Sequence, residues 1–212
     1  MISVVLADDH VVVRTGIKML LDADSDIEVV AEAAEGTEAY SLVARYKPDV
    51  LLLDISMPPG QSGLIACEKT AKDFPDTKVV ILTMFAEPEY LLYTLRGGAA
   101  GYVLKNSTPE QLRQAVHDVA NGGSYIHPTM VELLAKHAAG GSNDPSIQQL
   151  SSRELEILQL IARGHTNKEI STMMFLSVKT VEAHRSRIYK KLHLKTRADA
   201  VDYALRHKLL DL

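Results

Sequence analysis

Asp8, Asp9, Asp54, Thr83 and Lys105 are the residues of this chain whose types could do chemistry together. Three carboxylates held close repel one another, which raises at least one pKa or requires a divalent cation; an all-oxygen donor set suits Mg²⁺ or Mn²⁺ rather than zinc. The Thr83 hydroxyl and the Lys105 ammonium add donors for the oxygens of a phosphoryl group, whose transfer needs mainly charge neutralisation and positioning. Beside such a cation Asp54 can attack phosphorus and become an acyl phosphate. Any one acidic residue of this kind, taken alone, more often caps a helix, and it is the set of five that argues against that reading.

The set has meaning only if the fold gathers it. Each member stands at the downstream end of a short apolar run: Ile2 to Ala7 before Asp8 and Asp9, Val50 to Leu53 before Asp54, Val79 to Leu82 before Thr83, and Gly101 to Leu104 before Lys105. These runs are too short for buried helices, and helical patterns of about a dozen residues separate them, so an α/β domain with a parallel sheet covered on both faces is expected. Ligands of such sheets bind at the carboxyl ends of the strands, where strand order reverses. The five residues are therefore expected in one cleft.

Leu6-Ala7-Asp8-Asp9-His10, Leu53-Asp54-Ile55-Ser56-Met57-Pro58, Ile81-Leu82-Thr83 and Gly101-Tyr102-Val103-Leu104-Lys105 resemble the receiver domain of two-component response regulators. The resemblance implies a flavodoxin-like, doubly wound, five-stranded domain over residues 1–122, with Asp54 as phosphoacceptor, Asp9 as a direct metal ligand and Asp8 acting through water. It further implies that the Ser56 backbone carbonyl ligates the metal, that Thr83 and Lys105 hold the phosphoryl oxygens, and that Tyr102 is the aromatic that swings inward on activation. Two positions depart from the pattern. Pro59-Gly60-Gln61-Ser62 delays Gly63 by one residue, and Asn106 follows the lysine where many receivers carry proline.

Charge divides the chain. Residues 1–147 hold 11 Lys or Arg against 20 Asp or Glu, a balance of −9, whereas residues 148–212 hold 12 against 7, a balance of +5. An acidic body with a basic end points to a polyanionic partner for that end. One cysteine, Cys67, rules out an internal disulfide and suits a reducing cytosol. With neither a signal peptide nor an apolar stretch of membrane-spanning length, the expectation is a soluble cytoplasmic protein.

A helix opened by Thr108-Pro109-Glu110 and stopped at Asn121-Gly122-Gly123 closes the first domain. Residues 123–147 read as a linker with a short helix to about His137 and a tether from Gly140 to Ser146. Residues 148–212 read as four helices: one from Leu150-Ser151 with Leu155, Leu158 and Ile161 on a face, one from Asn167 to about Met174, one from Val178 to Leu192 behind an N-cap at Ser177, and one after Thr196 with Val201, Leu205 and Leu209 on a stripe. In the third, with Val181 at zero and about 100° per residue, Ile188, Leu192 and Val178 fall on the inner face. Lys179, Ala183, Ser186, Arg187 and Lys190 lie opposite, flanked by Glu182 and His184. Basic residues around two small ones suit a helix that enters a major groove, where Glu182 can accept from a cytosine amino group and Lys190 can touch phosphate.

Leu150 to Leu158, Gly164, Asn167-Lys168-Glu169-Ile170 and Leu176 to His184 resemble the LuxR-type helix-turn-helix, and the two modules together are similar to the NarL/FixJ response regulators. The Ser56-Met57-Pro58-Pro59-Gly60 loop resembles regulators of nitrate respiration in low-GC Gram-positive bacteria. These resemblances imply that Lys179, Thr180 and His184 touch DNA phosphates, that Glu182, Ala183 and Ser186 touch bases, and that the last helix pairs two chains. They imply a transcription factor phosphorylated by a sensor histidine kinase, dimeric when phosphorylated, working on double-stranded DNA with RNA polymerase and away from membranes. Two other classes compete. A Mg²⁺-dependent aspartyl phosphatase would use the same Asp, Thr and Lys but needs a second Asp where Ser56 stands, and a phospho-regulated adaptor would use the helical end to grip another protein.

Overall fold

The computed structural model describes residues 1–57, 63–84, 86, 88–139, 150–174, 176–207 and 209–210. It divides into two compact units, Met1–Gly141 and Ser142–Leu212. The first alternates strand and helix: β1 (Ile2–Ala7), α1 (Val11–Asp22), β2 (Ile27–Ala33), α2 (Gly36–Tyr46), β3 (Val50–Asp54), α3 (Gly63–Asp73), β4 (Lys78–Thr83), α4 (Pro88–Arg96), β5 (Gly101–Leu104), α5 (Pro109–Ala120), β6 (Tyr125–Ile126) and α6 (Pro128–Ala139). The strands form one parallel sheet in the order β2-β1-β3-β4-β5-β6. The chain builds outward from β1 to β2 and then returns to lay β3 on the other side of β1, so the order reverses between β1 and β3. Alternate residues explain the continuous apolar runs. Val4, Leu6, Val50, Leu52, Val80, Leu82 and Val103 pack against Ile17 and Leu21 of α1 and Leu112, Ala115, Val116 and Val119 of α5, while Val5, Ala7, Leu51, Leu53, Val79, Ile81 and Tyr102 are buried as well. Strands buried on both faces cannot alternate apolar with polar.

The sheet has six strands rather than five. The Tyr125 N–H donates to the Ala100 carbonyl (3.2 Å) and the His127 N–H to that of Tyr102 (2.9 Å), which covers the edge of β5. A two-residue strand carries no periodic signal. Behind it α6 packs against α4 and buries Met130 completely, so residues 125–139, expected in a linker, belong to the first unit. The tether from Gly140 to Ser146 and the loop from Pro58 to Ser62 lie outside the described residues. The start of α5 follows the expected chemistry: Thr108 and Gln111 form a reciprocal capping box with Pro109 in the first turn.

The second unit is four helices, α7 (Ser152–Ala162), α8 (Asn167–Met173), α9 (Val178–Lys191) and α10 (Arg197–Arg206). Each starts where a hydroxyl side chain accepts the N–H three residues on: Ser151 from Glu154, Thr166 from Glu169, Ser177 from Thr180 and Thr196 from Asp199. Leu155, Leu158, Ile161, Ile170, Val181, Ile188 and Leu192 form the interior. Two expectations are corrected. Val178 is 40% exposed, and α10 buries Ala200, Tyr203 and Ala204 while Leu205 is 44% exposed and Val201 half-buried; of the expected stripe only Leu209 is inside. Alanines at close helix crossings bury little side chain each, so a stripe read from large apolar residues pointed to the wrong face.

Candidate functional site

β1, β3, β4 and β5 are successive neighbours, and their carboxyl ends bring the five polar residues together. Ala7 pairs with Leu53, Asp54 with Leu82, and Thr83 with Leu104, so the residues that follow stand side by side. The Lys105 ammonium bridges two of the carboxylates, 2.7 Å from Asp8 Oδ2 and 2.7 Å from Asp54 Oδ2, and the Lys105 N–H donates to the Thr83 carbonyl. Asp8, Asp54, Thr83 and Tyr102 are buried, and the Asp9 side chain is partly exposed. Ser56 is exposed, and its N–H donates to Asp54 Oδ1 at 3.3 Å. Gly63, despite its one-residue delay, returns to this point: its N–H donates to the Ile55 carbonyl (3.0 Å).

Two residues belong to the pocket that the motif reading left without a role. His10 donates its N–H to Asp8 Oδ1 (2.8 Å) and places Nδ1 2.7 Å from Asp9 Oδ1. Arg14, one turn into α1, donates from Nη1 to the Asp8 carbonyl (2.5 Å) and from Nε to Glu32 Oε2 (3.2 Å), holding the end of β1. The signal for Arg14 was its place on the inner side of α1 just after the acidic pair; charge in a helix reads as solvated until a partner is seen.

The electrostatics suit a divalent cation. Burial pushes the Asp54 carboxyl above its ordinary value, with the Lys105 ammonium pulling it down and the Asp8 charge adding to the rise. Burial works against the charge on Lys105, but its bonds to Asp54 and Asp8 outweigh that and hold its pKa above the ordinary value. Three carboxylates against one ammonium leave two negative charges uncompensated. Asp8, Asp9, His10 and Asp54 offer ligand atoms that all lie within 4.8 Å of one another, so a doubly charged ion held by oxygen fits both the charge and the spacing.

On α9 the structure exposes Lys179, Glu182, Ala183, Ser186, Arg187 and Lys190, as the periodicity implied. Thr180 is half-buried, and its hydroxyl lies 2.8 Å from that of Ser177. His184 is also half-buried: its Nδ1 is enclosed without a hydrogen-bond partner, and burial first, then Arg187, holds the imidazole below its ordinary pKa. His184 therefore meets any phosphate as a neutral ring. α9 is anchored to α7 through buried Glu154, which accepts from the Ser151 N–H (2.8 Å), the Ser151 hydroxyl (3.1 Å) and the Lys191 ammonium (2.6 Å). Burial alone would raise this carboxyl, but Lys191 and Ser151 outweigh it and set it below 4.5. Because the folded value is the lower one, the stabilisation is in full force above that pH and is lost as pH falls through the folded value. Glu154→Gln should lower the urea midpoint of the helical unit at neutral pH by the equivalent of about 1–2 kcal/mol. The gap from the wild type should shrink under acid, and a gap independent of pH would show that the charge is irrelevant.

Residues 4–117 match the response regulator receiver domain family, and residues 148–204 match the LuxR family of bacterial regulatory proteins. The chain belongs to the two-component response regulators with a LuxR-type DNA-binding domain, and is a phosphorylation-controlled transcriptional regulator. It is 53% identical over 216 residues to the oxygen regulatory protein NreC of Staphylococcus carnosus and 52% identical over 215 residues to NreC of Staphylococcus aureus, in each case over 99% of both chains. Among solved structures it is similar to RcsB of Salmonella enterica serovar Typhimurium bound to a promoter in the presence of the phosphomimetic BeF₃⁻, with a TM-score of 0.71 and 29% identity over 100% of this chain and 99% of that one. No helix among the described residues is long and apolar enough to cross a membrane.

Proposed function

We propose that Asp54 accepts a phosphoryl group from a sensor histidine kinase and that this controls DNA binding by α9. The observation that carries the reading is the Lys105 bridge between Asp8 and Asp54 at the point where strand order reverses. Asp54 supplies the attacking oxygen, the bond from phosphorus to the donor breaks, and Lys105 passes from the carboxylate to a phosphoryl oxygen. Thr83 offers its hydroxyl to another. Asp8, Asp9, Asp54 and the Ser56 carbonyl would hold Mg²⁺, or Mn²⁺, whose charge offsets that of the incoming group. This chemistry is the chain's own phosphorylation and dephosphorylation, not turnover of a separate substrate; the second acid that a phosphatase needs is replaced by Ser56.

Thr83 and Tyr102 are the switch. A phosphoryl group draws the Thr83 hydroxyl, and a local change of this kind acts at a distance only through contacts that differ between two states. The protein works in the cytoplasm as a homodimer when phosphorylated, with double-stranded DNA and RNA polymerase as partners. RcsB, seen on promoter DNA with a phosphomimetic, supports this reading, and the NreC relatives support a role in responding to oxygen or nitrate. The helix-turn-helix domain spans residues 148–212.

Genome-wide binding with and without phosphorylation tests the whole reading, which fails if occupancy is the same in both. The docking of α9 has its own test. Lys190→Ala should weaken binding alike across sequences by removing a phosphate contact, whereas Glu182→Ala should relax preference at one base pair, with about 1–3 kcal/mol of discrimination lost there. A binding-site selection giving the reverse pattern would overturn that docking.

A further inference from the structure

The helical unit holds a second concentration of positive charge, apart from the outward face of α9. A cavity of about 430 Å³ opens where the end of α7 and the starts of α8, α9 and α10 meet, and His165, Thr166, Asn167, Lys168, Arg185 and Arg197 contribute its polar lining. No carboxylate lines it. The adjacent Glu169 is engaged elsewhere, accepting from the Thr166 N–H (2.7 Å) and hydroxyl (2.9 Å). Among the described residues Lys168, Arg185 and Arg197 form no ion pair. The guanidinium of Arg197 is fixed rather than mobile, donating from Nε to the Ile161 carbonyl (3.2 Å) and from Nη2 to that of His165 (3.0 Å). The guanidinium of Arg185 lies over the Tyr189 ring, 5.1 Å from its centroid. Three permanent cations around one cavity, with no counter-charge, form a receptor for an anion.

The position of the cavity selects which anion. Val178, from the first turn of α9, lines it too. With Val181 at zero, Val178 and Arg185 lie about 40–60° round the helix, next to Glu182 at about 100°, while Lys179, Ala183, Ser186 and Lys190 centre near the far side. A helix entering a major groove with that far side inward has a sugar-phosphate strand along each flank. The cavity lies on the Glu182 flank, beside the end of the helix that leads into the groove. We propose that it receives a backbone phosphate of the DNA strand bordering the groove, clamped jointly by Lys168 and Arg185 with Thr166 and Asn167 as neutral donors. This rests on the reading of α9 as the groove-entering helix. The clamp carries no sequence information; it sets how α9 is aligned over the bases.

The test uses the full phosphorylated chain and a fluorescein-labelled DNA duplex of arbitrary sequence, with anisotropy titrations across a salt series. Lys168→Gln and Arg185→Gln should each weaken binding about tenfold and each flatten the dependence of log affinity on log salt by about 0.9, the value for one phosphate contact. Because the two side chains share that phosphate, the double variant should flatten it by no more than either single one. Circular dichroism and a urea midpoint equal to wild type confirm folding; Arg197, which holds main chain, is left unchanged. Wild-type slopes in both variants, while Lys190→Ala still weakens binding, would overturn the clamp and leave the groove reading standing; no effect from Lys190→Ala either would overturn both. Calorimetry with inorganic phosphate alone separates the sources. Tight binding of the free anion that Lys168→Gln abolishes, with unchanged DNA slopes, would mark a small-anion site and overturn the assignment to DNA.

Discussion

Asp54→Asn should take no acid-labile, Mg²⁺-dependent label from acetyl phosphate, while the wild-type chain labels to stoichiometry. Lys105 alone does not make the distinction, because its ammonium stands 2.7 Å from both Asp8 and Asp54. What separates the two acids is how their second oxygens are held. Asp8 Oδ1 takes the His10 N–H at 2.8 Å, so both its oxygens are engaged within a side chain that is 0% exposed. Asp54 Oδ1 has only the longer 3.3 Å bond from Ser56, the first residue beyond β3, which is itself exposed. That is the oxygen a donor can reach. Burial already weighs against the negative charge of Asp54, so the neutral isostere should fold at least as stably, and a thermal midpoint no lower than wild type will exclude unfolding as the cause of lost label. Full labelling of the variant would move the acceptor to Asp8 or Asp9 and undo the assignment.

The pocket was legible because each of its residues ends an apolar run, and the direction of a parallel strand then fixes which end of the sheet it occupies. Asp54 and Lys105 are 51 positions apart in the chain yet needed no long-range information beyond strand order. β6 was not legible, since Tyr125 and Ile126 are too few to show a period and join the sheet only because β5 would otherwise present a bare edge. The inner face of α10 was misread for the opposite reason: a clear period exists in Val201, Leu205 and Leu209, but Ala200, Tyr203 and Ala204 make the closer packing against the rest of the unit. Helix starts were the most readable local features, because a hydroxyl residue that can accept the N–H three positions on needs no tertiary partner. His184 shows the limit of angular arithmetic. A flank position looks available for phosphate, and only the packed structure shows a ring nitrogen enclosed and its charge disfavoured.

Gly63→Ala should unfold the receiver more easily and slow its phosphorylation by more than the lost stability explains. A Cβ on Gly63 would stand 1.8 Å from the Asp54 carbonyl oxygen, 2.8 Å from its carbonyl carbon and 2.9 Å from the Ile55 Cα. All three are backbone atoms of the strand that carries the phosphoacceptor and cannot turn aside as a side chain would. Relief requires either α3 to retreat, opening the packing of buried Leu64 and Ala66, or the end of β3 to shift. Overpacking of this severity should cost about 3 kcal/mol, seen as a lower urea midpoint for the first unit. If β3 yields, Asp54 moves with it, and a displacement of about 1 Å at a reacting group is enough to slow transfer roughly a hundredfold. The acetyl phosphate rate, measured well below the new midpoint where the variant remains folded, reads that second effect separately. Wild-type values in both measurements would mean that the approach of Gly63 to Asp54 is looser than described. The requirement also explains how a loop one residue longer is accommodated: the extra residue lies before Gly63, so the return of the chain to the Ile55 carbonyl, and with it the setting of Asp54, is kept.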